Sequence, residues 1–178
     1  MSVGRRGTGR RLFRLGSLLF IIALAVYLFS PRTFLCLENN ETQAPLFWVA
    51  VKGNDPFSLA FRHSYDKDMY IEHYKISGGN AIFFTGLTFK SDLNGQGFIF
   101  PNANYFSNGW GTLKGVHVRM PSVPFLMGSP DEANHTLYIH ARKYRLTRYV
   151  RPGTPVAFKV IKGRRGQSLI WSIEKWLR

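Results

Sequence analysis

The chain has 178 residues, which is room for one globular domain and an appendage but not for two sizeable cores. Apolar residues make up 45% of it and charged residues 19%, with 15 Phe, 8 Tyr and 4 Trp, so a disordered chain is excluded. A single cysteine, Cys36, excludes an intramolecular disulfide framework and a cysteine-rich metal site.

Residues 1–14 carry five arginines (Arg5, Arg6, Arg10, Arg11 and Arg14) and no acid, and they run directly into 15–29, which holds no charge. A basic head before an apolar run predicts a cytoplasmic tail at 1–14 and a transmembrane anchor at 15–31, with Arg14 snorkelling so that Leu12 and Phe13 lengthen a short span. A cleaved signal peptide is the competing reading. No A-x-A site follows the apolar run, however, and Thr33-Phe34-Leu35 before Cys36 lacks the small residues of lipoprotein processing. The pair Arg10-Arg11 is expected in any arginine-rich head and needs no export signal to explain it. The excess of arginines before the span places the N-terminus in the cytoplasm and everything from Arg32 onward outside.

Beyond the span the pattern has period two, broken at short intervals by turn residues such as Gly53-Asn54-Asp55-Pro56, Gly78-Gly79-Asn80, Ser107-Asn108-Gly109 and Arg151-Pro152-Gly153. Strands are predicted at 46–52, 57–65, 70–77, 81–89, 97–100, 112–120, 136–147 and 155–162. Eight short strands at 32–166 predict an all-β domain, an antiparallel sandwich or barrel. The last segment, 167–178, spaces Leu169, Ile170, Ile173, Trp176 and Leu177 as one helical stripe flanked by Trp171, with Ser168 available as N-cap. A short amphipathic helix is expected there.

The positive charge of the outer segment is local. Residues 32–139 hold 8 basic and 9 acidic side chains, whereas 140–178 hold 11 basic ones and only Glu174. Arg142, Lys143, Arg145, Arg148, Arg164 and Arg165, with Trp171 and Trp176, form a candidate contact for anionic lipid or a membrane partner, each charge near such a surface contributing about 1 kcal/mol. The alternative is a helix that closes an open edge of the β domain. Nucleic acid is not expected as a partner, because the topology puts these charges outside the cytoplasm.

One hairpin can be read to its register. Phe57, Leu59, Phe61, His63 and Tyr65 share one face of their strand, and Tyr70, Glu72, Tyr74 and Ile76 share one face of the next. A four-residue loop, Asp66-Lys67-Asp68-Met69, makes both apolar faces coincide and sets His63 opposite Glu72. An imidazole beside a carboxylate at the end of an aromatic face is either a satisfied polar pair or a ligand or proton-transfer site.

The run Phe61-Arg62-His63-Ser64-Tyr65 with Glu72 downstream resembles the His-Ser…Glu signature of domain-of-unknown-function family 1850. Three further pieces resemble that family in the same order: Leu35-Cys36-Leu37-Glu38, Phe89-Lys90-Ser91 with Gly95 and Gly97, and Arg151-Pro152-Gly153-Thr154-Pro155-Val156. The glycine stretch is longer than the family's pattern, and the proline usual between His-Ser and Glu is absent. The resemblance implies a small membrane-anchored bacterial protein of the inner membrane, encoded near TAXI-type TRAP transporters, and it supplies no activity. It points to His63, Ser64, Glu72 and Ser91 as ligand- or partner-binding residues and to TRAP transporter subunits as partners.

Catalysis is not expected. Ser64 and His63 are adjacent on a strand and so face opposite ways. Glu72 and His73 alternate across the sheet for the same reason, which disfavours a metal site built from His63, Asp66, Glu72 and His73. Gly95-x-Gly97 has no helix after it and is no nucleotide loop. The sequons at Asn40 and Asn134 matter only in a secretory eukaryote. No cofactor is expected, and the expectation is a non-enzymatic accessory or binding subunit. The rival is an envelope enzyme or sensor that uses the His63/Glu72 pair.

Overall fold

The computed structural model describes residues 6–64, 67–78, 80–90, 103–105 and 109–177. They fall into two compact units, one formed by 33–162 and the other by 1–32 together with 163–178.

The larger unit is built from two antiparallel sheets. The first has the order β2-β1-β12-β9, where β1 is Pro31–Asn39, β2 Pro45–Val51, β9 Val123–Leu126 and β12 Pro155–Arg164. Strand β1 lies inside it, with Leu35 opposite Val49 and Cys36 opposite Trp48. Phe34, Leu35, Cys36 and Leu37 are all buried. A strand covered on both faces shows no alternation, so period two does not reveal it. Burial pushes the Cys36 thiol up to about 12, with Glu38 adding to the effect. Asn39 ends the strand by accepting, through Oδ1, hydrogen bonds from the Glu41 and Thr42 backbone N–H groups at 2.8 and 2.9 Å.

The second sheet runs β11-β10-β3-β4-β5-β7-β6, with β8 also beside β5. Its strands are β3 Pro56–Arg62, β4 Met69–Ile76, β5 Ile82–Lys90, β6 Ala103–Tyr105, β7 Trp110–Leu113, β8 Val118–Met120, β10 Thr136–Ile139 and β11 Arg142–Arg145. The two sheets share a core in which Leu35, Leu37 and Phe158 of the first meet Phe57, Leu59 and Leu137 of the second. Phe57 stacks on Tyr74 with centroids 5.0 Å apart and tilts against Phe158 at 6.0 Å. A second cluster joins Tyr70, Leu87, Phe89 and Leu113, and it requires Gly111 on β7, since a Cβ there would enter the Phe89 ring.

Of the two architectures the pattern allowed, the molecule takes the sandwich-like one, because neither sheet closes on itself. Two predicted strands split, and β9 arises where none is predicted. The stretch 112–120 breaks into β7 and β8 around Gly115, whose φ is +74°. The stretch 136–147 folds back at His140-Ala141, where φ of +51° and +58° make a type I′ hairpin from two residues that rarely adopt it. Strand β9 contains Pro124 and lies at a sheet edge, where a missing N–H is tolerated. The predicted strand at 97–100 lies outside the described residues.

In the smaller unit, helix α1 spans Arg6–Phe29, and its Arg11–Phe29 stretch has a mean hydropathy of 2.3 with none of it buried. Helix α2 spans Gln167–Leu177. Ser168 is not its N-cap, for the Gly166 carbonyl accepts the Leu169 and Ile170 N–H bonds while the Ser168 hydroxyl donates to the Arg165 carbonyl at 2.9 Å. The end of α1 and the approach to α2 are tied together by bonds from Arg165 N–H to the Ser30 carbonyl (3.1 Å) and from Gly166 N–H to the Leu28 carbonyl (2.9 Å). The Arg164 guanidinium also lies 5.1 Å from the Phe29 ring centre and that of Arg165 4.7 Å from Tyr27.

Candidate functional site

The β3–β4 hairpin positions the site, but its register is not the predicted one. Leu59 is opposite Glu72, Phe57 opposite Tyr74 and Phe61 opposite Tyr70, and Arg62 pairs with Met69 to close the ladder. The slip from the expected register is four residues. An even slip keeps every side chain on its face, so alternation cannot exclude it. The observed register stacks Phe57 on Tyr74 and Phe61 on Tyr70. His63 therefore leaves the strand, with its N–H bonded to the Asp68 carbonyl and its carbonyl to the Lys67 N–H, and its ring stacks on Tyr70 at 4.7 Å. It is not opposite Glu72.

His63 and Glu72 nevertheless border the same cavity, of about 550 Å³, inside the larger unit. Leu59, Phe61 and Tyr74 line it from the second sheet, Val123 and Phe125 from β9, and Met127, Gly128 and His135 from the segment before β10. Arg62, Ser64, Lys67 and Glu132 are exposed lining residues. The interior is thus largely apolar with a few polar groups, the usual make-up of a small-molecule site.

Three of those polar groups are tuned by burial. Glu72 is protonated more readily than an ordinary carboxyl because of desolvation, an effect that the 2.7 Å bond donated by the Tyr74 hydroxyl only partly opposes. Tyr74 is in turn pushed up by burial and by the Glu72 charge. His135, stacked at 5.5 Å on Phe61 and 4.8 Å from Phe125, is lowered to about 4 by burial and is neutral at pH 7. Its Nδ1 accepts the Gly128 N–H at 3.2 Å, so the ring proton sits on Nε2. Sequence reasoning missed His135, whose position was read only as part of a sequon.

His73 occupies the other face of β4, as alternation requires. Its Nδ1 is 2.9 Å from the Ser58 hydroxyl and its Nε2 is 2.8 Å from the Thr88 hydroxyl. The histidine is lowered by burial and then by Lys114, and it meets a second hydroxyl where a nucleophilic triad would have a carboxylate. The three form a polar rung across β3, β4 and β5. Among the described residues no three His, Cys, Asp or Glu side chains come together as a metal centre.

The remaining predicted residues are dispersed. Ser91 lies outside the described residues. Arg142, Lys143 and Arg145 are exposed on β11, with the Lys143 ammonium 5.8 Å from the Tyr138 ring centre, and Arg148 is exposed in a 3-10 turn, Leu146–Arg148. Arg164, Arg165, Trp171 and Trp176 belong to the smaller unit, the Trp176 side chain being outside the described set.

Two open antiparallel sheets around a partly polar cavity define a β-sandwich-like domain with a candidate ligand site. The chain belongs to the family described as domain of unknown function (DUF1850), whose model matches residues 57–146. That match spans about half of the chain and contains every residue of the cavity wall. No curated protein and no solved structure matches the chain.

Proposed function

We propose that the chain is a membrane-anchored binding or accessory subunit of the bacterial inner membrane, with its β domain outside the cytoplasm, and that it works beside a TRAP-type solute transporter without catalysing a reaction. The cavity carries this reading, because it is large enough for a small solute and has polar groups suited to orienting one. Glu72 is bonded to Tyr74 and not to an imidazole, which favours recognition over proton transfer. The bond from the Gly166 N–H to the Leu28 carbonyl supports an uncleaved anchor, since removal of α1 would strip it. The transporter association rests on the gene neighbourhood that the family resemblance implies, which is an association and not a contact.

Purification of the tagged full chain in mild detergent from its native membrane tests the partnership, with transporter subunits expected in the eluate. Recovery without them, together with turnover of an envelope substrate that His63→Ala abolishes, would favour the enzyme or sensor instead. Protease added to spheroplasts is expected to remove the β domain; its protection would reverse the topology.

A further inference from the structure

Within the cavity the polar groups are unequal. The mixed charges, Arg62, Lys67 and Glu132, are exposed, and Arg62 is engaged by the Asp131 carbonyl at 3.4 Å. Among the described residues Glu72 is the only acid inside, and no cationic side chain is within ion-pair distance of it. A carboxylate desolvated without a counter-ion is costly, and the cost is relieved when a cation arrives. The surrounding walls are aliphatic and aromatic, with Leu59, Val123 and Met127 beside Phe61, Tyr74 and Phe125, so an apolar body fits next to the carboxyl.

From these observations we infer that the cavity takes an apolar or aromatic organic amine, with Glu72 as counter-ion to the ammonium and Phe61, Tyr74 and Phe125 as the walls around its body. The inference rests on the proposed binding role and names the class of solute. A carboxylate ligand would bring a second negative charge beside Glu72 in a poorly hydrated space, so acids of the same shape are rejected. An alcohol of that shape keeps a hydrogen bond to Glu72 but loses the charge pairing, and it binds between the two. The Tyr74 hydroxyl is already committed to Glu72, which fixes the carboxyl orientation before any ligand enters.

The chain contains four methionines, of which Met120 and Met127 line the cavity and Met69 does not. With the full chain in nanodiscs and its methionine methyls labelled with carbon-13, titration with phenethylamine, 2-phenylethanol and 3-phenylpropionate separates the classes. The expected order is amine, then alcohol, then acid, with the Met120 and Met127 signals moving and Met69 still. Glu72→Gln keeps the shape and an acceptor for Tyr74, and it is expected to weaken the amine at least tenfold while leaving the alcohol within threefold. An acid that binds as well as the amine, or an amine indifferent to Glu72→Gln, would overturn the choice of ligand and leave the binding role standing. Cavity signals that stay fixed across hexyl and phenyl members of all three classes would overturn the binding role, and this inference with it.

Discussion

Tyr74 and Glu72, two residues apart on β4, point the same way, and the phenol donates a 2.7 Å hydrogen bond to the carboxylate in a mostly dry space. Removal of the donor leaves a buried acid short of a partner. Tyr74→Phe is therefore expected to cost about 1–3 kcal/mol in urea unfolding, and Glu72→Leu combined with Tyr74→Phe to regain much of it. Strictly additive losses would show that the pair does not act as a unit. His63→Ala, by contrast, should add to Glu72→Gln within about 0.5 kcal/mol, since the two are not cross-strand partners.

His135 makes stability depend on pH in a direction opposite to Glu72. Its folded value of about 4 lies below the ordinary 6.5, so between these limits the unfolded chain binds the extra proton. Its contribution is complete above about pH 6.5 and disappears as the pH falls to 4, a loss of roughly 3 kcal/mol. Glu72, raised by burial, weakens the fold as the pH rises above 4.5. Subtracting the unfolding free energy of His135→Gln from that of the unaltered chain cancels the Glu72 part. The difference should climb between pH 4 and 6.5 and level off above; a flat difference would mean that His135 titrates in the fold as it does in the unfolded chain.

At the C-terminal end of α1, two guanidinium groups sit over Tyr27 and Phe29, and Leu169, Ile170 and Ile173 of α2 are exposed at 56%, 56% and 59%. An apolar helical stripe next to cationic and aromatic anchors is expected to lie in the lipid interface. Spin labels at Ile22→Cys and Ile173→Cys in nanodiscs with anionic lipid should both be accessible to oxygen, Ile22 deeply and Ile173 shallowly. A deep Ile22 with a fully aqueous Ile173 would reject the in-plane helix alone, and an aqueous Ile22 would reject the anchor.

The hairpin at His140-Ala141 holds two ordinary residues in the left-handed region. Ala141→Gly relieves one of them and should raise the urea midpoint by the equivalent of about 0.5–1 kcal/mol. His140 is less suitable for the test, because its ring bonds Asp55 at 2.7 Å.

What the sequence conceals follows from the kind of signal each element emits. Strands β3, β4 and β5 alternate because one face is more deeply covered than the other, and they are legible. Strand β1 is covered on both faces, β9 carries a proline, and the 140–141 turn lacks the Asn-Gly that announces such a hairpin. Alternation fixes which face Glu72 occupies but not its cross-strand neighbour, which is why the sequence pairs it with His63 where the structure pairs it with Leu59. His135 emits no local pattern at all, since only the fold brings it beside Phe61 and Phe125.

Cys36 sits at zero exposure in the middle of β1 with its thiol held near 12, so at pH 7 only about one part in 10⁵ is thiolate. It packs as a small apolar residue and is closed to oxidants and to other thiols. The domain consequently owes nothing to the redox state of the compartment in which it folds. Oxidising and reducing hosts should yield the same folded protein, without help from disulfide-forming enzymes.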